Sequence, residues 1–229
     1  MTIGIIGAMD EEIALLRNEM RDTSEEEVAN CLLIQGTLHG RNVVLLKSGI
    51  GKVNAALAAT ILHERFAPTH IINTGSAGGF SNELEVGDVV ISTQVVHHDV
   101  DVTAFEYAYG QVPSMPAMYA ADTELVAKAA HAIKALNLNY QEGIIATGDS
   151  FMADPARVDF VRGKFPTMIA AEMEAAAIAQ VCYQYNKPFV IIRALSDIAG
   201  KESSISFEAF LDKASKNAAD LIMKIIQEI

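Results

Sequence analysis

Ile3-Gly4-Ile5-Ile6-Gly7-Ala8, followed almost at once by Asp10-Glu11-Glu12-Ile13-Ala14-Leu15-Leu16, decides the fold. The first run is uncharged and rich in β-branched residues, as a strand buried on both faces must be; the acid-led stretch Asp10–Met20 then reads as a helix. Outward from this pair, the alternation continues to the end of the chain. Further strands are expected at Cys31–Leu38, Asn42–Ser48, His70–Thr74, Asp88–His97, Tyr140–Thr147, Thr167–Ala171 and Pro188–Ala194, the first being Ile3–Ala8. Further helices are expected at Lys52–Phe66, Asp122–Leu136, Met173–Tyr185 and Phe207–Ile226. His39-Gly40 between two strands predicts a hairpin. In the last helix Phe207, Phe210, Leu211, Ala214, Ala218, Leu221, Ile222 and Ile225 recur at helical spacing and predict one buried stripe. Alternating strands and helices place the chain in the α/β class, with a largely parallel sheet covered on both faces.

The 229 residues read as a single domain, 1–229, with no internal repeat or linker. Hydrophobic residues make up 51 % and charged residues 20 %, enough apolar surface for a sizeable core. The net charge of −12 argues against nucleic acid and anionic membranes as partners, since both attract a positive surface. No basic segment precedes the first apolar run, and no apolar run approaches the ~20 residues of a membrane helix. A cytoplasmic setting follows as an expectation, with Cys31 and Cys182 as reduced core thiols.

Open α/β sheets bind ligands beyond the carboxyl ends of their strands. Met9, Asp10, Glu11 and Glu12 follow the first strand, and Gly75-Ser76-Ala77-Gly78-Gly79 follows His70–Thr74. Gly148-Asp149-Ser150-Phe151-Met152, Glu172-Met173-Glu174 and Leu195-Ser196-Asp197 follow three others. Each has a plain structural alternative. Asp10, Glu11 and Glu12 suit a helix start, Glu174 a first helical turn, Asp197 a capped turn, and Gly75–Gly79 a tight turn. Gly49-Ile50-Gly51-Lys52-Val53-Asn54 lacks the third glycine of a dinucleotide fingerprint and the hydroxyl residue of a phosphate loop. His97-His98-Asp99-Val100-Asp101 looks metal-like, but neighbours on a strand point to opposite faces, so interface or surface roles are expected instead. The interval from His97 to Tyr119 holds Phe105, Tyr107 and Tyr109 with Gly110, Pro113 and Pro116, which favours a binding surface or subunit interface.

Seven segments, in order, resemble the 5′-methylthioadenosine/S-adenosylhomocysteine nucleosidases. They are Gly4-Ile5-Ile6-Gly7-Ala8-Met9 with Glu11-Glu12, Lys47-Ser48-Gly49-Ile50-Gly51-Lys52, and Asn73-Thr74-Gly75-Ser76-Ala77-Gly78-Gly79. Asp99-Val100-Asp101-Val102-Thr103-Ala104-Phe105, Thr147-Gly148-Asp149-Ser150-Phe151, Glu172-Met173-Glu174-Ala175 and Arg193-Ala194-Leu195-Ser196-Asp197 complete the set. The resemblance implies a three-layer nucleoside phosphorylase-like fold, a twisted mixed β-sheet flanked by helices, assembled as a homodimer. It implies hydrolysis of 5′-methylthioadenosine or S-adenosylhomocysteine, and of 5′-deoxyadenosine, to adenine and the matching ribose, in methionine salvage, with no cofactor and no metal. Glu12 would activate water and Asp197 would protonate adenine N7. Glu174 and the Met173 backbone would hold the ribose, Phe151 would stack on the base, and the Met152 backbone would read its edge. Ser76 and Arg193 would place the water and Gly78 would line the base pocket, with Met9, Ile50 and Phe207 completing the substrate-binding set. Val102, Phe105 and Pro113 would come from the second subunit. Met152 departs from the branched aliphatic residue of some relatives, which a backbone contact tolerates.

The chemistry asks for such a pair. Breaking a ribosyl C–N bond makes a cationic sugar and an anionic purine, as glycoside hydrolysis does, and two carboxyl groups in opposite roles solve that problem. The acid, Asp197, must then hold its proton well above the ~3.9 of an ordinary aspartate. The alternatives are a phosphorylase, or a nucleoside-binding module without catalysis. Phosphorylases resembling this fold carry arginines where this chain has Asp10-Glu11-Glu12 and Asn73, and carboxylates repel phosphate.

Overall fold

The computed structural model describes residues 1–201 and 203–229, and for 203–205 the backbone alone. In chain order, β1 (Thr2–Gly7) leads into α1 (Asp10–Glu19), then β2 (Arg21–Val28), β3 (Cys31–Leu38), β4 (Arg41–Lys47) and α2 (Lys52–Phe66). β5 (His70–Gly79) and β6 (Val89–His97) follow, then a 3₁₀ turn at Thr103–Phe105, β7 (Tyr119–Ala120), α3 (Thr123–Ala135) and β8 (Tyr140–Thr147). The chain closes with α4 (Pro155–Lys164), β9 (Met168–Glu172), α5 (Ala175–Gln184), β10 (Phe189–Ile198) and α6 (Ser203–Glu228).

β1 lies between β4 and β5, parallel to both, and its side chains alternate between two cores. Ile6 joins the core under α2 and α5, while Ile3 and Ile5 join the core under α1, α3 and α6. Three layers result, helices on sheet on helices. From the edge the strands run β2-β3-β4-β1-β5-β10-β6-β8-β9, and β9 then returns to pair antiparallel with β5. Five strands thereby close on themselves, and the sheet is mixed rather than largely parallel: β10–β6, β2–β3, β3–β4, β5–β9 and β6–β7 are all antiparallel.

The expected strands are found, with two extensions that matter. β5 runs to Gly79 and β10 to Ile198, beyond the expected ends at Thr74 and Ala194, because the two strands continue to pair with each other. The stretch Gly75–Gly79 is therefore strand and not a tight turn. The β10–β5 register slips between Leu195 and Asp197, so Ser196 is the extra residue of a bulge. Strict alternation would send Ser196 and Asp197 to opposite faces; with the bulge, both line one cavity.

His39-Gly40 is the expected two-residue hairpin, with φ of 49° and 78° as a type I′ turn requires. β2 was not legible as a strand: RDTSEEEV exposes nearly every side chain and carries no apolar face. It is a charged edge strand, which resists pairing with other chains. α4 was missed too, although Asp154 caps it by accepting from Ala156 N at 3.0 Å and Pro155 opens its first turn. The stripe on α6 is buried at Ala214, Ala218, Leu221, Ile222 and Ile225, but Phe210 is 40 % exposed, a correction at the end where the helix leaves the core. Cys31 and Cys182 are buried free thiols, as expected. Among the described residues no helix is long and apolar enough to cross a membrane.

Candidate active site

Side chains from the ends of β1, β5, β9 and β10 converge on a cavity of about 350 Å³, within the range of small-molecule sites. Glu12 stands in the first turn of α1, 3 % exposed. Its Oε2 accepts from Ala8 N at 2.8 Å and Met9 N at 3.3 Å, as a helix-starting glutamate does. Its Oε1 turns the other way and accepts from Ser76 N at 2.9 Å and Ser76 Oγ at 3.1 Å, on β5. That second set is not helix capping. Asp10 and Glu11, by contrast, are exposed, and Asp10 only pairs with Lys47 at 2.8 Å, so the helix-start reading holds for these two alone. Gly75 allows the Glu12–Ser76 contact: at φ +151°, a Cβ there would stand 2.6 Å from Glu12 Oε1.

Arg193, 1 % exposed, is the cationic centre. Nη1 donates to Ser76 O at 3.2 Å; Nη2 donates to Asn73 Oδ1 at 2.7 Å, to Glu172 Oε2 at 2.5 Å and to Glu174 Oε2 at 3.3 Å. Its Nε is buried with no hydrogen-bond partner. Burial works against its charge, but Glu172, Glu174 and Glu12 outweigh burial and hold the guanidinium pKa up. Glu172, the last residue of β9, also accepts from Thr147 Oγ1, from Glu174 N at 2.9 Å and from Ala175 N at 2.8 Å. Glu174 occupies the N-cap of α5 but makes no side-chain cap to its own helix. Its Oε1 accepts instead from Gly51 N at 2.9 Å, at the start of α2. Burial pushes the Glu174 carboxyl up to about 7; Arg193 opposes the shift, while Glu172 and Glu12 add to it.

Asp197 is 2 % exposed, and Ser196 Oγ donates to its Oδ1 at 3.0 Å. A Cβ on Gly78 would lie 3.1 Å from Asp197 Oδ2, so a side chain there would press on the carboxylate. The remaining walls are apolar. Met9, Ile50, Met173 and Phe207 line the cavity with Phe151, whose ring meets Phe207 edge-on at 5.8 Å. Four buried carboxyl groups (Glu12, Glu172, Glu174 and Asp197) thus face one guanidinium and an apolar slot.

A family model, the phosphorylase superfamily, matches residues 2–227. Over 229 residues the chain is 64 % identical to the 5′-methylthioadenosine/S-adenosylhomocysteine nucleosidase of Oceanobacillus iheyensis, covering all of both chains. It belongs to this nucleosidase family. Two solved nucleosidases of the family superpose on it. That of Neisseria meningitidis, in complex with methylthio-immucillin-A, has a TM-score of 0.98 at 46 % identity, covering 100 % of this chain and 99 % of its own. That of Colwellia psychrerythraea 34H, in complex with adenine, has a TM-score of 0.96 at 48 % identity, covering 100 % and 95 %. The nucleoside phosphorylase-like fold expected from the sequence is the fold observed.

Of the expected site residues, Met9, Glu12, Ile50, Ser76, Gly78, Phe151, Met173, Glu174, Arg193, Asp197 and Phe207 line this one cavity. Met152 sits beside it: its side chain packs in a third core cluster and its carbonyl accepts from Gly200 N at 3.1 Å. Val102, Phe105 and Pro113 lie on the loop after β6, off their own chain's cavity, and Phe105 is 75 % exposed. Of the interface or surface roles expected for His97 and His98, burial of both rings removes the free-surface one. His97 Nε2 meets Gln180 Oε1 at 3.1 Å, while the His98 ring packs against Gly148; no cluster able to hold a metal occurs among the described residues. Sequence reasoning placed Glu172 at the carboxyl edge, Asn73 in the argument against phosphate and Thr147 in a family segment, but gave none of the three a role in the site. The signal for Glu172 was its place at a strand end two residues from Glu174, with an arginine on another strand to balance both.

Proposed function

We propose that the chain hydrolyses the N-glycosidic bond of 5′-methylthioadenosine and S-adenosylhomocysteine, and of 5′-deoxyadenosine, releasing adenine and the corresponding ribose. The observation that carries this reading is the pair of buried carboxyl groups, Glu12 on α1 and Asp197 on β10, reaching one cavity with Glu174 beside them.

In this mechanism Glu174 accepts from the ribose hydroxyls and Phe151 lies on the base. As the C1′–N9 bond breaks, its electron pair passes into the purine, and the Asp197 proton moves to N7. Water adds to C1′, and its proton goes to Glu12. Asp197 and Glu12 then exchange protons with solvent to reset. The carboxylates around the ribose stabilise the positive charge that develops there, because preorganised opposite charge acts strongly in a site shielded from water. Glu12 is aimed for its part by Ser76 and by the start of α1.

Water, rather than phosphate, is the co-substrate in this reading. A phosphate dianion needs free cationic or N–H donors. The Nη groups of Arg193 are already committed to Ser76, Asn73, Glu172 and Glu174, and the neighbouring carboxylates would repel an anion. Adenine release from 5′-methylthioadenosine in phosphate-free buffer, followed by the absorbance change of the base, tests the reading; a strict requirement for phosphate would replace it with a phosphorylase.

The working unit in this proposal is a cytoplasmic homodimer. Val53 and Leu57 on α2 are 78 % and 42 % exposed, Tyr183 on α5 is 54 % and Phe105 is 75 %. Large apolar side chains left in water on adjacent elements favour a subunit interface. Val102, Phe105 and Pro113 would then close the 5′ end of the partner's pocket. Sedimentation of the purified protein as an active monomer would count against this.

A further inference from the structure

Two loops reach the cavity from distant parts of the chain, residues 48–52, carrying Ile50, and residues 148–152, carrying Phe151; a third, the loop after β6 that opens with His98-Asp99, lies against both without lining the cavity. They are joined by polar side chains that do not line the cavity. Lys52 Nζ donates to Asp99 Oδ1 at 2.6 Å. Asp99 Oδ2 accepts from Asp149 N at 2.9 Å. Asp149 Oδ1 accepts in turn from Lys52 N at 2.8 Å, and so caps α2 from outside, where the N-cap residue Gly51 has no side chain to offer. The next backbone N–H, that of Gly51, donates to Glu174. Gly51 leaves room for this: at φ +97°, a Cβ there would lie 3.1 Å from Asp149 Oδ1.

An ordinary exposed ion pair contributes little. This one differs in two ways. The Lys52 and Asp99 side chains are only 20 % and 27 % exposed, and each carboxylate of the cluster also accepts from a backbone N–H of another loop. The Lys52 ammonium balances Asp99 while the Lys52 backbone N–H holds Asp149, so losing the ammonium leaves Asp99 a partly buried carboxylate without its cation at the contact that joins the loops.

We infer that Lys52, Asp99 and Asp149 are positioning residues that lock the three loops together and so fix Ile50, Phe151 and Glu174 in nucleoside-binding geometry before substrate arrives. The inference rests on the nucleosidase reading only for its kinetic consequence. Glu12 and Asp197 stand on elements outside the lock, so loosening it should weaken substrate binding more than it slows the bond-breaking step.

The test compares K52M, which keeps the aliphatic stem, D99N and K52R, which keeps the charge. Amide hydrogen exchange in the unliganded protein and steady-state kinetics with 5′-methylthioadenosine are the two readouts. K52M and D99N should exchange faster at the amides of Gly51, Lys52 and Asp149. Their KM should rise roughly ten- to a hundredfold, the scale of losing one hydrogen bond to a charged group such as Glu174, while kcat changes by no more than about threefold. K52R should restore most of both. The inference is overturned if K52M leaves local exchange and KM unchanged, if K52R behaves like K52M, or if kcat and KM worsen together with a global fall in Tm and no local change. Should the wild type release no adenine, the nucleosidase reading falls, and the exchange result alone still decides the lock.

Discussion

Replacing Glu174 with glutamine should make the unliganded protein less sensitive to alkaline pH. In the folded state burial raises this carboxyl from an ordinary 4.5 to about 7, with Glu172 and Glu12 adding to the shift and Arg193 only partly opposing it. A carboxyl whose folded pKa is raised binds its proton more tightly folded than unfolded. Its contribution is therefore fully present below about pH 4.5 and is lost as pH climbs through about 7. Between about pH 5.5 and pH 8.5 that loss amounts to about 2 kcal/mol, and because Glu174 is 4 % exposed little of it is screened by solvent. In a domain of this size it corresponds to roughly 4–8 °C in Tm. Glutamine keeps an acceptor for Gly51 N but carries no charge. It turns an amide toward Arg193, and that penalty is the same at both pH values. Thermal unfolding of wild type and E174Q at the two pH values, without ligand, isolates the effect as a double difference. The wild type should lose about 4–8 °C relative to the variant on going to high pH. Parallel curves, or a variant that falls faster than the wild type, would show that Glu174 does not titrate in this window.

Three further outcomes follow from the site. Glu12→Gln and Asp197→Asn should each lower kcat by about 10²–10⁴ while adenine-nucleoside affinity measured by calorimetry persists, the signature of lost proton transfer. Glu172→Gln should destabilise the fold by about 3–5 kcal/mol, seen as a shifted denaturant midpoint, because it removes the shortest partner of the buried Arg193. Phe105→Ala should raise KM for substrates with a 5′-alkylthio group while leaving the chain's own Tm nearly unchanged, since that ring is 75 % exposed on its own subunit; a fall in Tm with unaltered KM would assign the ring a purely structural part.

The layered architecture was legible because uncharged β-branched runs such as Ile3–Ala8 alternate with 3.6-residue patterns, and both signals are local. The closure of β9 onto β5 was not, since a two-residue antiparallel pairing at Gly78–Gly79 leaves no trace in periodicity. The same holds for the true ends of β5 and β10. Gly75, Gly78 and Gly79 look like turn residues, yet they are bare strand positions: Gly75 faces Glu12 and Arg193, Gly78 faces Asp197, and Gly79 packs against Leu195 and Ile198. Within the site, the carboxyl-end rule gathered Glu12, Glu174 and Asp197 correctly to one edge. It could not separate Glu12 from Asp10 and Glu11, which are exposed, because only the approach of Ser76 from β5 distinguishes them. The role of Glu172, though it stood at the same edge, was hidden for a similar reason. Its importance lies in Arg193, 21 positions away, and in Thr147, 25 positions away.

In the proposed reaction two carboxyl groups divide the work across one ribose. A crystal structure with a non-hydrolysable 5′-methylthioadenosine analogue tests it most directly. Asp197 should lie within hydrogen-bond distance of the purine N7, and Glu12 should hold a water on the opposite side of C1′. If both carboxyls sit on the same side of the sugar, or Asp197 touches no atom of the base, the two groups do not share the reaction in this way.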